Sequence, residues 1–133
     1  MKKSITLLIG LTFLLTILLV GLFGSTIFAN EELMVEKVTS VEVTNTDITS
    51  ENRKVLYMAG NSQITYQISW LVLPDNATNK NIDFIITVDE SRADRIQVNA
   101  SGLVTFFGKV TASVTIRSKD GTNKSDFITF IVI

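Results

Sequence analysis

The sequence contains no cysteine and no histidine among its 133 residues. Without cysteine it can form neither a disulfide framework nor a thiolate metal site. Without histidine it lacks the base of Ser-His-Asp and Cys-His catalytic groups and the commonest nitrogen ligand of zinc. These two absences exclude most hydrolase mechanisms and most zinc sites.

Proline and net charge are also scarce. One proline is present, and 12 basic residues against 13 acidic ones give a net charge of −1. After Lys3 the longest basic run is the pair Arg53-Lys54, which is too short to form the basic surface that phosphate binding requires. We therefore expect no nucleic-acid partner. Hydrophobic residues at 46% and charged residues at 19% are typical of a globular domain.

An apolar segment opens the chain. Lys2 and Lys3 precede an uncharged stretch, rich in Leu, Ile and Phe, that continues as far as Asn30. Basic residues before a long apolar run are typical of an export signal, and the small residue Ala29 is compatible with cleavage there. The run is also close to the ~20 residues that span a bilayer. We predict a signal peptide or an N-terminal membrane anchor over residues 1–29.

The rest of the chain then lies outside the cytoplasm, either secreted or tethered to the cytoplasmic membrane at the cell surface. We interpret residues 30–37 as a short linker and residues 38–133 as one domain. Contact with the membrane is expected only through the N-terminal helix, and only if that helix is not removed.

Beyond the linker, apolar and polar residues alternate with a period of two, which is the pattern of β-strands with one buried face. The longest such segment is 62–74, where the apolar set includes Tyr66 and Trp70. No stretch between residues 31 and 133 has the spacing of an amphipathic helix. The segments that we interpret as strands are 41–43, 55–57, 62–74, 82–88, 96–98, 102–107, 110–117 and 126–133.

Turn-forming residues separate these segments. Pro74 ends one of them, where its missing N–H does not interrupt a ladder. Three N-x-S/T tripeptides begin at Asn76, Asn99 and Asn123, and we interpret them as turn chemistry because Asn and Ser side chains bond to nearby backbone. Many short strands with turn signals about every 8–12 residues predict an all-β fold, an antiparallel sandwich or barrel of seven to eight strands.

Five local signatures then follow one another in a recognisable order. They are VTSVEV (38–43), MAGNSQITYQI (58–68), LPDNATNKNIDF (73–84), NASGLVTF (99–106) and VTASVTIRSKDG (110–121). In this order they resemble the bacterial immunoglobulin-like domain of group 2, a module of intimin-like and invasin-like adhesins and of other bacterial surface proteins. The chain departs from the family pattern at Phe84, where the family commonly has a tryptophan. The single tryptophan of this chain, Trp70, lies one strand earlier.

The resemblance implies an immunoglobulin-like β-sandwich with the family topology and a repacked core. It also implies a non-enzymatic exported module that acts in cell-surface structure or adhesion. Such a module presents loops and edge strands to an extracellular protein or glycan. The family has no shared catalytic, cofactor-binding or metal residues, so the resemblance implies no site residue and no cofactor.

Acidic residues near the end of one predicted strand raise two alternatives. Asp89, Glu90 and Asp94 offer paired carboxylates for glycoside hydrolysis or clustered oxygens for calcium. A small sandwich has little room for a substrate cleft, and Arg92 and Arg95 would neutralise a cation site. We therefore predict surface ion pairs in this segment, and a protein that is not an enzyme.

The alternative function is a small secreted carbohydrate-binding module, with or without calcium. Four aromatic residues, Tyr66, Trp70, Phe84 and Phe130, are candidates for a platform on which sugars stack. Strand parity instead assigns the first three to the core, where each aromatic side chain buries roughly 150–250 Å².

Overall fold

The structure, a computed structural model, describes residues 34–133. The signal peptide or anchor predicted at 1–29 lies outside the described residues, as does the predicted linker up to residue 33. Residues Val35–Ile133 form one unit. None of its helices is long and apolar enough to cross a membrane.

Within the described residues the chain forms nine strands and one 3₁₀ helix, Glu90–Arg95. The strands are β1 (Ser40–Val43), β2 (Arg53–Leu56), β3 (Ile64–Gln67), β4 (Trp70–Leu73), β5 (Ile82–Val88), β6 (Ile96–Val98), β7 (Leu103–Phe106), β8 (Val110–Ser118) and β9 (Ser125–Val132).

The strands form three ladders. One is a four-stranded sheet in the order β2-β9-β8-β5, the second is a three-stranded sheet in the order β3-β7-β6, and the third is the pair β1-β4. All five pairings that do not involve β2 are antiparallel. The predicted all-β class is confirmed. Sheets built mainly from antiparallel strands are consistent with a β-sandwich.

The strand count differs from the prediction because segment 62–74 is two strands. β3 pairs with β7, whereas β4 pairs with β1. Between them the Ile68 amide donates to the Gly102 carbonyl at 3.0 Å, and the Ser69 amide donates to Asn45 Oδ1 at 2.8 Å. The backbone thus exchanges one ladder partner for another, although side-chain alternation continues without a break.

The prediction that all strands are antiparallel is wrong at β2. β2 runs parallel to β9, with Arg53 opposite Thr129. The direction follows from the preceding strand, because the amide of Val43 at the end of β1 donates to Asp126 Oδ2 at 2.7 Å, beside the start of β9. The end of β1 therefore lies beside the start of β9, and β2 continues from there in the direction of β9. Alternation with a period of two does not indicate strand direction.

The core lies between the four-stranded sheet and the other two ladders. The Phe130 ring of β9 lies 5.3 Å from the Tyr66 ring and 5.2 Å from the Phe106 ring, centroid to centroid. Trp70 and Phe84 meet edge to face at 5.3 Å. The side chains that β8 contributes are 2% exposed or less: Val110, Ala112, Val114 and Ile116.

Candidate functional site

The outward side of the four-stranded sheet exposes apolar side chains. On β9, Ile128 and Phe130 are fully buried, so side chains of the opposite parity point away from the core. Phe127 is accordingly 45% exposed. On β2, Val55 is 38% exposed, and the following Tyr57 is 78% exposed. We define the outer face as the outward residues of this sheet together with the adjacent Tyr57: Val55, Tyr57, Ile85, Thr87, Ser113, Thr115, Phe127, Thr129 and Ile131.

Hydroxyl groups form a row across the middle of the outer face. Thr129 of β9 lies opposite Ser113 of β8, which lies opposite Thr87 of β5. The Ser113 and Thr129 hydroxyls are 2.8 Å apart and share one hydrogen bond. Beside this row, Phe127 lies opposite Thr115. Apolar contact area next to hydroxyl donors and acceptors is suited to binding a protein or a glycan surface.

Charged pairs lie at the margins of the outer face. Asp83 is 3.4 Å from Lys119 and 3.9 Å from Arg117, and Glu51 is 3.1 Å from Arg53. All these side chains are substantially exposed, so each pair contributes only about 0–1 kcal/mol to stability. Charges at the margin of an exposed face act on an approaching surface more than on folding, because like-charged surfaces repel each other.

Two shallow clefts open on the described surface, one of them beside the margin of the outer face. One, of about 330 Å³, includes Arg95, whose guanidinium donates to the Lys109 carbonyl at 2.8 Å. The other, of about 320 Å³, lies where β5 approaches the turn after β6 and includes Asp83. Neither cleft brings two carboxylates together, which is the arrangement that glycoside hydrolysis requires.

A polar cluster ties the loop after β1 to the core. The Tyr66 hydroxyl donates to Asp47 Oδ1 at 2.5 Å, and Lys54 Nζ lies 3.0 Å from Asp47 Oδ2. Burial and the bond to Asp47 raise the pKa of Tyr66 well above its usual range. The same bond, together with Lys54, lowers the pKa of Asp47. The phenol stays protonated and the carboxylate ionised. The cluster is therefore a structural contact that holds the loop after β1 against the core.

Asp120 fixes the start of β1 to the β8–β9 hairpin. Its carboxylate accepts from the Val38 amide at 2.7 Å, from the Ser118 hydroxyl at 2.8 Å and from both the amide and the hydroxyl of Thr122. The Thr122 and Val38 bonds hold the pKa of Asp120 far below its usual range. The sequence signal was present, since Asp before Gly121 is a turn pattern, but its long-range bond to Val38 was not predictable locally.

The acidic segment predicted to form ion pairs is organised differently. Asp89 caps the 3₁₀ helix by accepting from the amide and the hydroxyl of Ser91, both at 3.1 Å, and these bonds lower its pKa. Glu90 and Asp94 lie on that helix, and the four ion pairs within residues 34–133 all lie outside the segment. The ion-pair prediction is wrong there, because Arg95 donates to a backbone carbonyl instead. No group of three or more acidic, His or Cys side chains in the described chain is placed to hold a metal ion.

The aromatic residues considered as a sugar platform belong to the interior. Tyr66 is 9% exposed and Phe130 is fully buried, while Trp70 and Phe84 are partly buried against the core. The parity prediction for Tyr66, Trp70 and Phe84 is confirmed. The sequence analysis did not identify the exposed aromatic residues. Strand parity does place Phe127 outward, because it has the same parity in β9 as the polar residue Thr129.

The tripeptide at Asn99 serves as turn chemistry, as predicted. Asn99 Oδ1 accepts from the Ser101 amide at 3.0 Å, from the Ser101 hydroxyl at 2.7 Å and from the Leu103 amide at 2.9 Å. In the tripeptide at Asn76, the Thr78 hydroxyl accepts from the Glu36 amide at 2.8 Å. These side chains are committed to backbone groups of the fold.

In comparisons with known proteins, no protein-family model matches the chain and no curated protein matches it. The candidate site is therefore assigned from its geometry alone. That geometry is an exposed sheet face with apolar and hydroxyl side chains, framed by ion pairs.

Proposed function

We propose that the chain is a non-enzymatic, exported immunoglobulin-like module that acts in cell-surface structure or adhesion. In this proposal the outer face, the loops and the edge strands bind an extracellular protein or glycan. The observation that carries the proposal is the outer face itself, where Tyr57 is 78% and Phe127 45% exposed. Large exposed apolar side chains beside polar groups are typical of interaction surfaces.

The strand order supports the immunoglobulin-like part of the proposal. β3 and β4 are successive parts of one extended segment, so two of the ladders combine into the order β6-β7-β3/β4-β1. The immunoglobulin arrangement has strands D-E-B-A in one sheet and C-F-G in the other. In this proposal β5, β8 and β9 correspond to C, F and G, and β2 is an additional strand beside G. The agreement is with the immunoglobulin arrangement in general, and the proposed assignment to the bacterial group 2 domain rests on the sequence signatures.

The proposed mechanism is mechanical and interfacial. A sandwich with a closely packed core keeps its loops and faces in fixed positions, so binding does not require ordering of the scaffold. Edge strands add main-chain N–H and C=O groups to which an extended partner can pair. The predicted N-terminal segment, residues 1–29, supplies export and, if retained, the tether.

Protease treatment of intact cells tests the location. We expect a C-terminally tagged full chain to be cleaved by externally added protease, whereas a cytoplasmic control protein is protected. N-terminal sequencing of the exported protein then separates two forms: a start at Asn30 identifies a secreted domain, and an intact Met1 identifies a tethered one. Protection of the tag in intact cells would contradict the proposal.

Binding by the outer face is tested with matched surface variants. We expect the double variant Tyr57→Ser, Phe127→Ser to lose most of its capture of a surface protein or glycan that the unchanged protein binds. Leu71→Ser is the control, since Leu71 is 40% exposed on β4, away from the outer face. Equal losses in both variants, or capture of intracellular proteins only, would contradict the assignment. A glycan array with and without calcium separates a sugar ligand from a protein ligand.

A further inference from the structure

The four-stranded sheet ends at β5, and no other described strand pairs with the far side of β5. The bond from the Lys119 amide to the Asn81 carbonyl, 2.9 Å, fixes which backbone groups face β8. Because those groups alternate along a strand, Asp83, Ile85 and Thr87 bond to β8. The residues whose N–H and C=O groups point to the open edge are Ile82, Phe84, Ile86 and Val88.

The β5 edge lacks the features that usually protect an edge strand. Natural edges are short, carry charges or proline, or are bulged. Among the described strands at sheet margins, β1 and β2 have four residues and β6 has three, and β2 begins with Arg53-Lys54. β5 has seven residues, no proline and no glycine. Its one charged residue, Asp83, is neutralised within the chain by Lys119 at 3.4 Å.

The core is also incompletely covered along β5. On the neighbouring β8, Val114 and Ile116 are fully buried. Their partners on β5, Ile86 and Phe84, point to the same side but remain partly exposed. The cleft of about 320 Å³ opens here and is lined in part by Phe84. An apolar strand laid against β5 would extend the sheet and cover these side chains.

We infer that β5 pairs antiparallel with β5 of a second copy of this chain, about a two-fold axis through Ile85. The inference rests on the proposed function, in which edge strands are presented for binding, and it names the partner. The segment is self-complementary in this register. The opposed pairs are Ile82 with Val88, Asp83 with Thr87, Phe84 with Ile86, and Ile85 with Ile85 of the second copy.

Charge favours the same register. The residues that flank β5 are Lys80-Asn81 before it and Asp89-Glu90 after it. The two-fold pairing brings the Lys80 side of one copy to the Glu90 side of the other, at both ends of the new ladder. Opposite charges meet, and Asp83 opposes the uncharged Thr87, so no like charges oppose each other. An edge contact buries less than the ~1,200 Å² typical of stable complexes, so we expect a weak, reversible dimer.

Single introduced cysteines test the register, because the chain has no cysteine of its own. The full-length chain is purified in detergent micelles, oxidised mildly and separated without reductant. Ile85 would be a non-hydrogen-bonded pair with Cα atoms about 4.5 Å apart, within the about 4.4–6.8 Å that a disulfide spans. We expect Ile85→Cys to give mainly a covalent dimer.

Thr87→Cys is the matched control on the same strand and the same face. In the proposed register two copies of position 87 lie four residues apart, about 14 Å at ~3.4 Å per residue, too far for a disulfide. We expect it to stay mainly monomeric, and adding Asp83→Cys to it to restore the covalent dimer. Phe127→Cys, exposed on the same face but on β9, should also stay monomeric. A dimer held only by residues 1–29 would not favour Ile85 over Thr87.

Ile85→Lys tests the pairing without cross-linking. It places two like charges opposite each other at the axis, so sedimentation should show the dimer fraction lost. Ile131→Lys on β9 should leave it unchanged, and circular dichroism checks that both variants fold. Equal cross-linking at positions 85, 87 and 127, or none at 85, would overturn the pairing. A cytoplasmic location would overturn the proposed function and leave the cross-linking result standing, so the two failures are distinguishable.

Discussion

Gly102 supports the core from the turn between β6 and β7, and replacing it with alanine tests that contact. Its backbone has φ +81°, a region that glycine adopts freely and other residues do not. A Cβ atom at this position would lie 2.6 Å from Trp70 Cζ3, 3.1 Å from Phe84 Cζ and 3.2 Å from the Ile68 carbonyl. The edge-to-face pair of Trp70 and Phe84 therefore packs directly on this glycine.

Two effects add in Gly102→Ala. The left-handed backbone costs an alanine about 1–2 kcal/mol, and inserting a carbon into a packed site costs about 1–3 kcal/mol. We expect the free energy of unfolding to fall by roughly 2–5 kcal/mol. Gly60→Ala is the control, because Gly60 has φ +63° but no atom within 4 Å of the added carbon. It should lose about 1–2 kcal/mol from the backbone effect alone.

Urea denaturation of the purified protein measures both losses. Trp70 is the single tryptophan and reports unfolding by fluorescence. Circular dichroism reports the secondary structure of the whole domain and also serves variants that lack Trp70. In a Trp70→Leu background the collision is relieved, so the loss from Gly102→Ala should fall towards the Gly60→Ala value. The reasoning is refuted if Gly102→Ala and Gly60→Ala cost the same, or if the Trp70→Leu background changes nothing.

Three further predictions concern the core and two titrating groups. Phe130→Ala should lower the free energy of unfolding by about 3–5 kcal/mol, whereas Phe127→Ala on the outward side of the same strand should change it by under ~1 kcal/mol; urea denaturation would show a reversed order if the two faces were misassigned. Because the pKa of Asp120 is lowered in the folded state, its contribution is present above the unfolded pKa of about 4 and is lost as the pH falls below it. Asp120→Asn should therefore lower stability at neutral pH and flatten the acid branch of a stability profile, and an unchanged profile would contradict this role. The raised pKa of Tyr66 is tested in the Tyr57→Phe variant, in which Tyr66 is the remaining tyrosine. While folded, this variant should show no tyrosinate absorbance near pH 10, and its stability should fall as the pH rises further. Tyrosinate absorbance that appears near pH 10 would show that the phenol is not buried.

Side-chain direction was predictable because it is a local property of a strand. Alternation alone placed Tyr66, Trp70 and Phe84 towards the core, and the structure confirms all three. Turn chemistry was predictable for the same reason, since the Asn99 side chain bonds within its own turn. Each of these features depends on residues a few positions apart.

Strand pairing was not predictable because it joins distant residues. Nothing in 62–74 marks the change of partner at Ile68, which depends on the Gly102 carbonyl. The parallel direction of β2 depends on the bond from Val43 to Asp126, which lies far away in the sequence. The exposure of the candidate site also depends on distant residues. Parity shows that Phe127 points away from Phe130, but its exposure depends on whether another layer covers that side of the sheet.

The contrast between β1 and β5 explains why β5 is the strand that is available for pairing. At β1 and just before it, the chain satisfies backbone amides with its own carboxylates: Asp120 accepts from Val38, two residues before β1, and Asp126 accepts from Val43 at its end, each at 2.7 Å. Carboxylates placed in this way also set negative charge against an approaching strand. On β5 the one carboxylate, Asp83, points to the outer face and is engaged by Lys119, so it neither caps an edge amide nor repels a partner. The edge of β5 therefore keeps the free hydrogen-bonding groups that a second copy can use.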